Sequence, residues 1–173
     1  MTTEIATSDF SSEDIKNNHE IFLKRGILYR EQGIDQEELR KSIARLVQPD
    51  SSSVLEIGTG RGYLTSILAG SFSRIVTVDM ESSDLRRARL NAAYYKRLNN
   101  IEFVNADACS MDFHDRSFDA VVSAFTFHHF DLPFKALREM ARVAGRQIII
   151  SDFNEKGFEA VEKVRLMEGR IHE

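Results

Sequence analysis

Val54-Leu55-Glu56-Ile57-Gly58-Thr59-Gly60-Arg61-Gly62-Tyr63 reads as a short apolar strand that runs into three glycines at alternate positions and then into a helix. Glycine suits this place for physical reasons. The chain must turn tightly at a strand end, adopt backbone angles that other residues resist, and let a ligand approach the main chain. Outward from this loop the sequence alternates. Arg74–Asp79 (RIVTVD), Ile101–Asn105 (IEFVN), Phe118–Ala124 and Gln147–Ser151 (QIIIS) have strand character. Gly62–Ala69, Ser82–Leu98, Pro133–Val143 and Lys156–Glu168 have helical character, with Gly169 placed to stop the last one. Such alternation implies a parallel sheet with helices on both faces. Ligands of open sheets of this kind bind beyond the carboxyl ends of the strands, where the glycine loop lies.

Ahead of the first strand, the polar stretch from residue 1 to about 12 reads as a mobile arm. A helix is expected from Ser12 to about Tyr29, with Ile15, Ile21, Phe22 and Leu28 as its apolar members. A second is expected from Asp35 to Val47, capped by Asp35, with Leu39, Ile43 and Leu46 on one face. Pro49-Asp50-Ser51 turns the chain. This divides the molecule into a helical N-terminal extension (1–48) packed on an α/β core (49–173), a single domain overall. At 173 residues, 42% hydrophobic and 29% charged, the composition is that of a globular protein. A net charge of −4 gives no global attraction for phosphate backbones and argues against a nucleic-acid partner. Cys109 stands alone, so neither an internal disulfide nor a thiolate cluster is expected. No apolar run approaches the ~18–20 residues needed to cross a bilayer. Met1–Phe10 lacks a signal-peptide pattern, and the expected location is the cytoplasm.

The glycine spacing separates two ligand classes. A dinucleotide fingerprint is G-x-G-x-x-G, and here Tyr63 holds the last position. Glu56, two residues ahead of Gly58, would repel an anionic pyrophosphate but suits an ammonium group, such as that of S-adenosylmethionine. The run Glu56-Ile57-Gly58-Thr59-Gly60-Arg61-Gly62 resembles the first motif of class I S-adenosylmethionine-dependent methyltransferases, and the similarity continues in order from Leu46 to Phe153. The resemblance implies an open Rossmann-like, mostly parallel sheet and a cofactor site built from Glu56, Gly58, Thr59, Gly60 and Gly62. It also implies that Asp79 holds the ribose hydroxyls, at about the twenty-residue interval usual for a ribose acid. Met80 would then pack on the adenine, Asp107 would accept from its amino group, and the Ala108 N–H would face a ring nitrogen. Ser123, near the end of the fourth strand, would meet the methionine portion.

His128 and His129 follow that strand and are the weak catalytic candidates, since histidine titrates near neutral pH. In the quinone-biosynthesis branch, which this stretch resembles, such histidines shape the pocket. Only His114 and Asp131 could join them, and no metal site is expected. Asp119, opening the fourth strand, reads as structural. The Pro-Pro-aromatic run of base and glutamine amino-methyltransferases is absent, as are a Pro-Cys nucleophile and a double-glutamate loop, which leaves a small-molecule acceptor. The sheet is expected to be truncated after its fifth strand. The apolar edge Ile148-Ile149-Ile150 would then be covered by the N-terminal helices or by a second subunit. Two other readings compete: a cofactor-binding regulatory or partner subunit, and a nicotinamide oxidoreductase, which Glu56 and Tyr63 disfavour.

Overall fold

The computed structural model describes residues 10–171. The elements run α1 (Ser12–Glu31), α2 (Gln36–Ala44), β1 (Ser53–Ile57), α3 (Tyr63–Leu68), β2 (Arg74–Asp79), α4 (Ser82–Tyr94), β3 (Ile101–Asn105), β4 (Phe118–Ala124), α5 (Pro133–Val143), β5 (Ala144–Ser151) and α6 (Glu155–Ile171). The five strands are all parallel, in the order β3-β2-β1-β4-β5. After β3 the chain returns to the other side of β1, so the strand order reverses between β1 and β4, where open sheets carry their ligands.

Period-two alternation sorts the sheet's two faces. Val54, Ile75, Ala120 and Val122 pack with Leu64 and Leu68 of α3 and Ile43, Ala44 and Val47 from α2 and the turn after it. Leu55, Ile57, Val76, Val78 and Val121 pack with Ala136, Met140 and Val143 of α5. Glu56 and Thr77 share the α3 face by parity, a carboxylate and a hydroxyl set in an otherwise apolar layer.

Several expected boundaries shift. Residues 1–9 of the expected arm lie outside the described residues, whereas Ser11 caps α1 in a reciprocal box with Asp14. Asp35 caps α2 as expected, accepting from the N–H groups of Glu37 and Glu38. The buried face of α2 keeps only Ile43 of the three apolar residues expected there. Gln36, Ile43, Ala44 and Val47 are buried, whereas Leu39 and Leu46 are exposed. The left-handed Lys96 (φ 55°) closes α4 early. Gly169 lies inside α6 instead of ending it. β5 begins three residues early, with a bulge against Phe118 and Ala120.

Among the described residues β5 pairs only with β4, and Ile148 (37%) and Ile150 (40%) are exposed. The N-terminal helices pack elsewhere, α1 on α4 and α6, and α2 on α3. The connection after α2 reaches β5 through Gln147, which bonds the Leu46 carbonyl and the Gln48 N–H, and through the ion pair of Asp50 with Arg146.

Asp119 joins the lower ends of β1 and β4. Its Oδ2 accepts from the N–H and hydroxyl groups of both Ser52 and Ser53, at 2.7–3.3 Å. These donors pull its carboxyl down to about 2. A depressed folded value means that the stabilisation is complete above the usual 3.8 and is lost as pH falls toward 2. Asp119→Asn is therefore expected to cost about 1 kcal/mol at pH 7, a value discounted for solvent screening. The difference in melting temperature from the native protein should shrink below pH 4 and disappear only below pH 2 by calorimetry.

Candidate functional site

A cavity of about 570 Å³ opens at the carboxyl ends of β1, β2 and β4. Its floor is the glycine loop, where Gly58, Gly60 and Gly62 all have positive φ (82°, 49° and 76°). The glycines differ in what they permit. A Cβ on Gly58 would collide with the Thr126 side chain, and one on Gly62 would sit 2.8 Å from the Ala88 backbone of α4. A Cβ on Gly60 would meet nothing within 4 Å, so its side faces open space. Gly62 thus sets the α3–α4 approach and does not line the cavity, whereas Gly58, Thr59 and Gly60 do.

Asp79, ending β2, holds this loop in shape. Its Oδ2 accepts from the Gly60 N–H at 2.8 Å and its Oδ1 from the Glu81 N–H at 3.0 Å. A carboxylate has about four acceptor positions, so two remain for a ligand. Met80 beside it is exposed and lines the cavity. Beside it, where the Ala106 N–H bonds the Asp79 carbonyl, the chain after β3 brings Asp107, Ala108 and Cys109 to the cavity. Asp107 Oδ1 accepts from the Cys109 N–H at 2.7 Å, a local turn that fixes the carboxylate. Arg142 of α5 braces the segment that follows, donating to the Met111 and Phe113 carbonyls and to Asp115 and Glu139.

Glu56 is 2% exposed. Its Oε2 accepts from Thr65 Oγ1 at 2.5 Å and from Thr77 Oγ1 at 2.8 Å. Since Thr77 spends its proton on Glu56, Thr59 Oγ1, 2.6 Å away, donates to Thr77 when Glu56 is ionised. Among the described residues no donor bonds Oε1. Burial pushes the carboxyl up to about 7, against the two hydroxyls and the charge of Arg40. A buried, under-bonded carboxylate at a cavity wall is the arrangement a cationic ligand group would complete.

The far wall comes from the chain after β4. Ser123 is fully buried, its Oγ without a partner among the described residues, and does not line the cavity. Ala124 and Phe125 do, and Phe125 takes a left-handed φ of 58°. A 3₁₀ turn (Phe127–His129) follows and carries both histidines, whose ring centroids lie 3.9 Å apart. His129 lines the cavity, and its pKa lies below the usual value through burial, then the neighbouring His128 and Arg165. His128 instead faces Asp152, with Nδ1 2.8 Å from Oδ1 and its backbone N–H donating to Oδ2. Among the described residues no three His, Cys, Asp or Glu side chains gather as a metal site.

Three residues at the site were not singled out from the sequence. Arg40 of α2 reaches the cavity between the rings of Tyr63 (4.8 Å) and Phe125 (4.9 Å). Asn91, buried in α4, donates to the Arg61 carbonyl and accepts from Asn18 of α1, tying the extension to the glycine loop. Asp152 orients His128. A signal existed for Arg40: the stripe Ile43, Ala44, Val47 continues backward at helical spacing onto Arg40 and Gln36, which are polar residues on a buried face.

Residues 55–147 match the family described as a methyltransferase domain, more than half of the chain. The chain belongs to the class I S-adenosylmethionine-dependent methyltransferase family. Family membership makes S-adenosylmethionine its cofactor, and the donor set fits that molecule: a buried carboxylate with a free oxygen, a second at the end of β2, and an open glycine cradle between them. A demethylmenaquinone methyltransferase of Thermotoga maritima is 30% identical over 66% of this chain and 48% of its own length. The ubiquinone/menaquinone biosynthesis C-methyltransferase UbiE of Hahella chejuensis is 37% identical over 60% of the chain and 43% of its own. The chain thus spans just under half the length of these curated relatives. A solved protein of Methanococcus maripaludis superposes with a TM-score of 0.66 over 91% of this chain and 74% of its own at 21% identity, a likeness of fold.

Proposed function

We propose that this methyltransferase-family chain transfers the methyl group of S-adenosylmethionine to a small, flat acceptor of the quinol kind. The observation that carries the reading is Glu56, a buried carboxylate at the cavity wall with one oxygen free of protein donors. When bound, the cofactor supplies a sulfonium-activated methyl group, so the protein's task is to orient the acceptor and exclude water. Glu56 Oε1 receives the ammonium of the methionine end, and Gly58, Thr59 and Gly60 bring the main chain against it. Gly62 keeps α4 close behind the loop. Asp79 takes the ribose hydroxyls with its remaining lone pairs, Met80 covers one face of the adenine, and Asp107 and the Ala108 N–H read its edge. Phe125, Phe130 and Leu132 wall the acceptor side, and a ring-shaped apolar acceptor suits them. The names of the curated relatives support a quinol.

His129, neutral at pH 7 because its pKa lies below the usual value, is placed to accept a proton from a hydroxyl acceptor. His128, clamped by Asp152, positions that turn. The net charge of −4 favours a small acceptor over a nucleic acid, and the same composition supports a cytoplasmic location. No helix among the described residues is long and apolar enough to cross a membrane.

A second reading rests on β5. Its exposed Ile148 and Ile150 suit a covering partner or a second copy of the chain. In that case the chain would be a cofactor-binding subunit, with 1–48 and 49–173 acting as one unit. One assay separates the two readings. Release of S-adenosylhomocysteine is followed with a demethylated naphthoquinol acceptor, alongside calorimetric binding of the cofactor. Acceptor-dependent release, at least tenfold above the acceptor-free rate, is expected. Tight cofactor binding without such release would replace the enzyme by the partner subunit.

A further inference from the structure

A second cavity, of about 480 Å³, lies behind Arg40 and Tyr63, which line both cavities. It is enclosed by α1, α2, α3 and the chain leaving α4, and the proposed methyl transfer does not use it.

Three observations distinguish it from a packing fault. The first is Gly26, in the middle of α1 and on the cavity wall. A mid-helix glycine weakens a helix relative to alanine. Here a Cβ would meet nothing within 4 Å, so nothing near Gly26 requires the glycine, and its absent side chain leaves the space open. The second is Gln36, which is 6% exposed, lines the cavity, and has its Oε1 without a donor among the described residues. A buried acceptor in that state is stabilised when a donor arrives.

The third is charge. Arg30, Arg40, Lys41 and Arg97 line the cavity against Asp35 and Glu37. Asp35 is occupied capping α2, and Glu37 pairs with Lys41 at 2.6 Å. Arg97 donates to the Ser66 carbonyl. Arg40 makes no ion pair among the described residues. Its one hydrogen bond there is to the Gln36 carbonyl at 3.1 Å, which leaves most of its five donors unused. Phe22, Tyr63 and Tyr95 supply aromatic walls.

We propose that this cavity binds a small aromatic carboxylate that carries an N–H or O–H donor, with Arg40 taking the carboxylate and Gln36 Oε1, once its carboxamide turns toward the cavity, taking the donor. The flat body lies among the aromatic walls, and the site adjoins that of the cofactor across Arg40 and Tyr63.

Indole-3-acetate is the probe, with indole-3-ethanol as its neutral counterpart, each titrated by calorimetry. One indole-3-acetate per chain is expected, bound at least tenfold more tightly than the alcohol. Gly26→Leu fills the cavity from a helical position with room for it. That variant should melt a few degrees higher, roughly the gain of removing a mid-helix glycine, yet bind the probe at least tenfold more weakly. Gln36→Leu, which removes the orphan acceptor, should weaken the probe at least threefold. S-adenosylhomocysteine is titrated into every variant and should bind as to the native protein, so the cofactor reading is measured separately. The proposal is overturned if the native protein does not bind indole-3-acetate, if acid and alcohol bind equally, or if Gly26→Leu binds the probe undiminished.

Discussion

Asp79→Ala is expected to weaken S-adenosylhomocysteine by about 100- to 1,000-fold in a calorimetric titration, because the change removes two kinds of interaction at once. Hydrogen bonds to a charged acceptor contribute about 1.5–3 kcal/mol each, and a ribose offers two hydroxyls to this carboxylate. The same carboxylate also holds the Gly60 N–H at 2.8 Å, so the loop that approaches the ligand loses its tether. Asp79→Asn keeps one acceptor oxygen, and a loss of roughly tenfold is expected. The fold should survive both changes, since Asp79 closes a strand at the cavity rim and is only half-buried. Affinity unchanged within threefold for the alanine variant would remove Asp79 from the cofactor site.

The second large effect is a pH dependence set by Glu56. In the free protein burial raises its carboxyl to about 7, so near pH 6 it is mostly protonated. An ammonium group beside Oε1 favours the ionised form, and binding must then expel a proton. Affinity for S-adenosylhomocysteine should therefore rise about tenfold or more between pH 5.5 and 8 and level off above 7. Glu56→Gln keeps an oxygen for Thr65 and Thr77 but has no charge to offer. Its affinity should be flat with pH and roughly 100-fold below native at pH 8, the scale of a broken buried ion pair.

Stability should move in the opposite direction. The folded pKa is raised above the usual 4.5, so between about 4.5 and 7 the native state holds a proton that the unfolded chain has lost. Stability of the free protein therefore declines with rising pH across that window, by about 3 kcal/mol. Glu56→Gln should remove the decline. A native protein whose affinity is independent of pH would show that Glu56 does not meet the cofactor's charge.

The layout of the fold was legible because its signals are local. β2, β3, β4 and α5 were expected at the bounds the structure shows, since β-branched runs, turn residues and Pro133 at a helix start declare themselves within a few residues. That the glycine loop, Glu56, Asp79 and Asp107 meet at one cavity was legible too, because motif spacing along the chain carries them. The apolar face of α2 was misread. Leu39 and Leu46 outweigh Ala44 and Val47 in hydrophobicity, but which side meets α3 is decided by packing. β5 started earlier than its apolar core because the bulge against β4 lets Ala144 and Gly145 join the ladder.

The sequence by itself determined the order of elements, the parallel sheet and the line of residues that gather at the first cavity. These follow from hydrophobic period and from backbone demands that only certain residues meet. Only the tertiary structure decided that Arg40, sixteen positions before Glu56, stands between Tyr63 and Phe125. It likewise decided that Asp152 clamps His128, that Ser123 turns away from the cavity, and that Gly26 opens a second one. Those facts depend on how α1 and α2 dock on α3 and α4 and how the chain leaves β4. Side-chain contacts across such interfaces arise between residues far apart in the chain, so no local spacing encodes them.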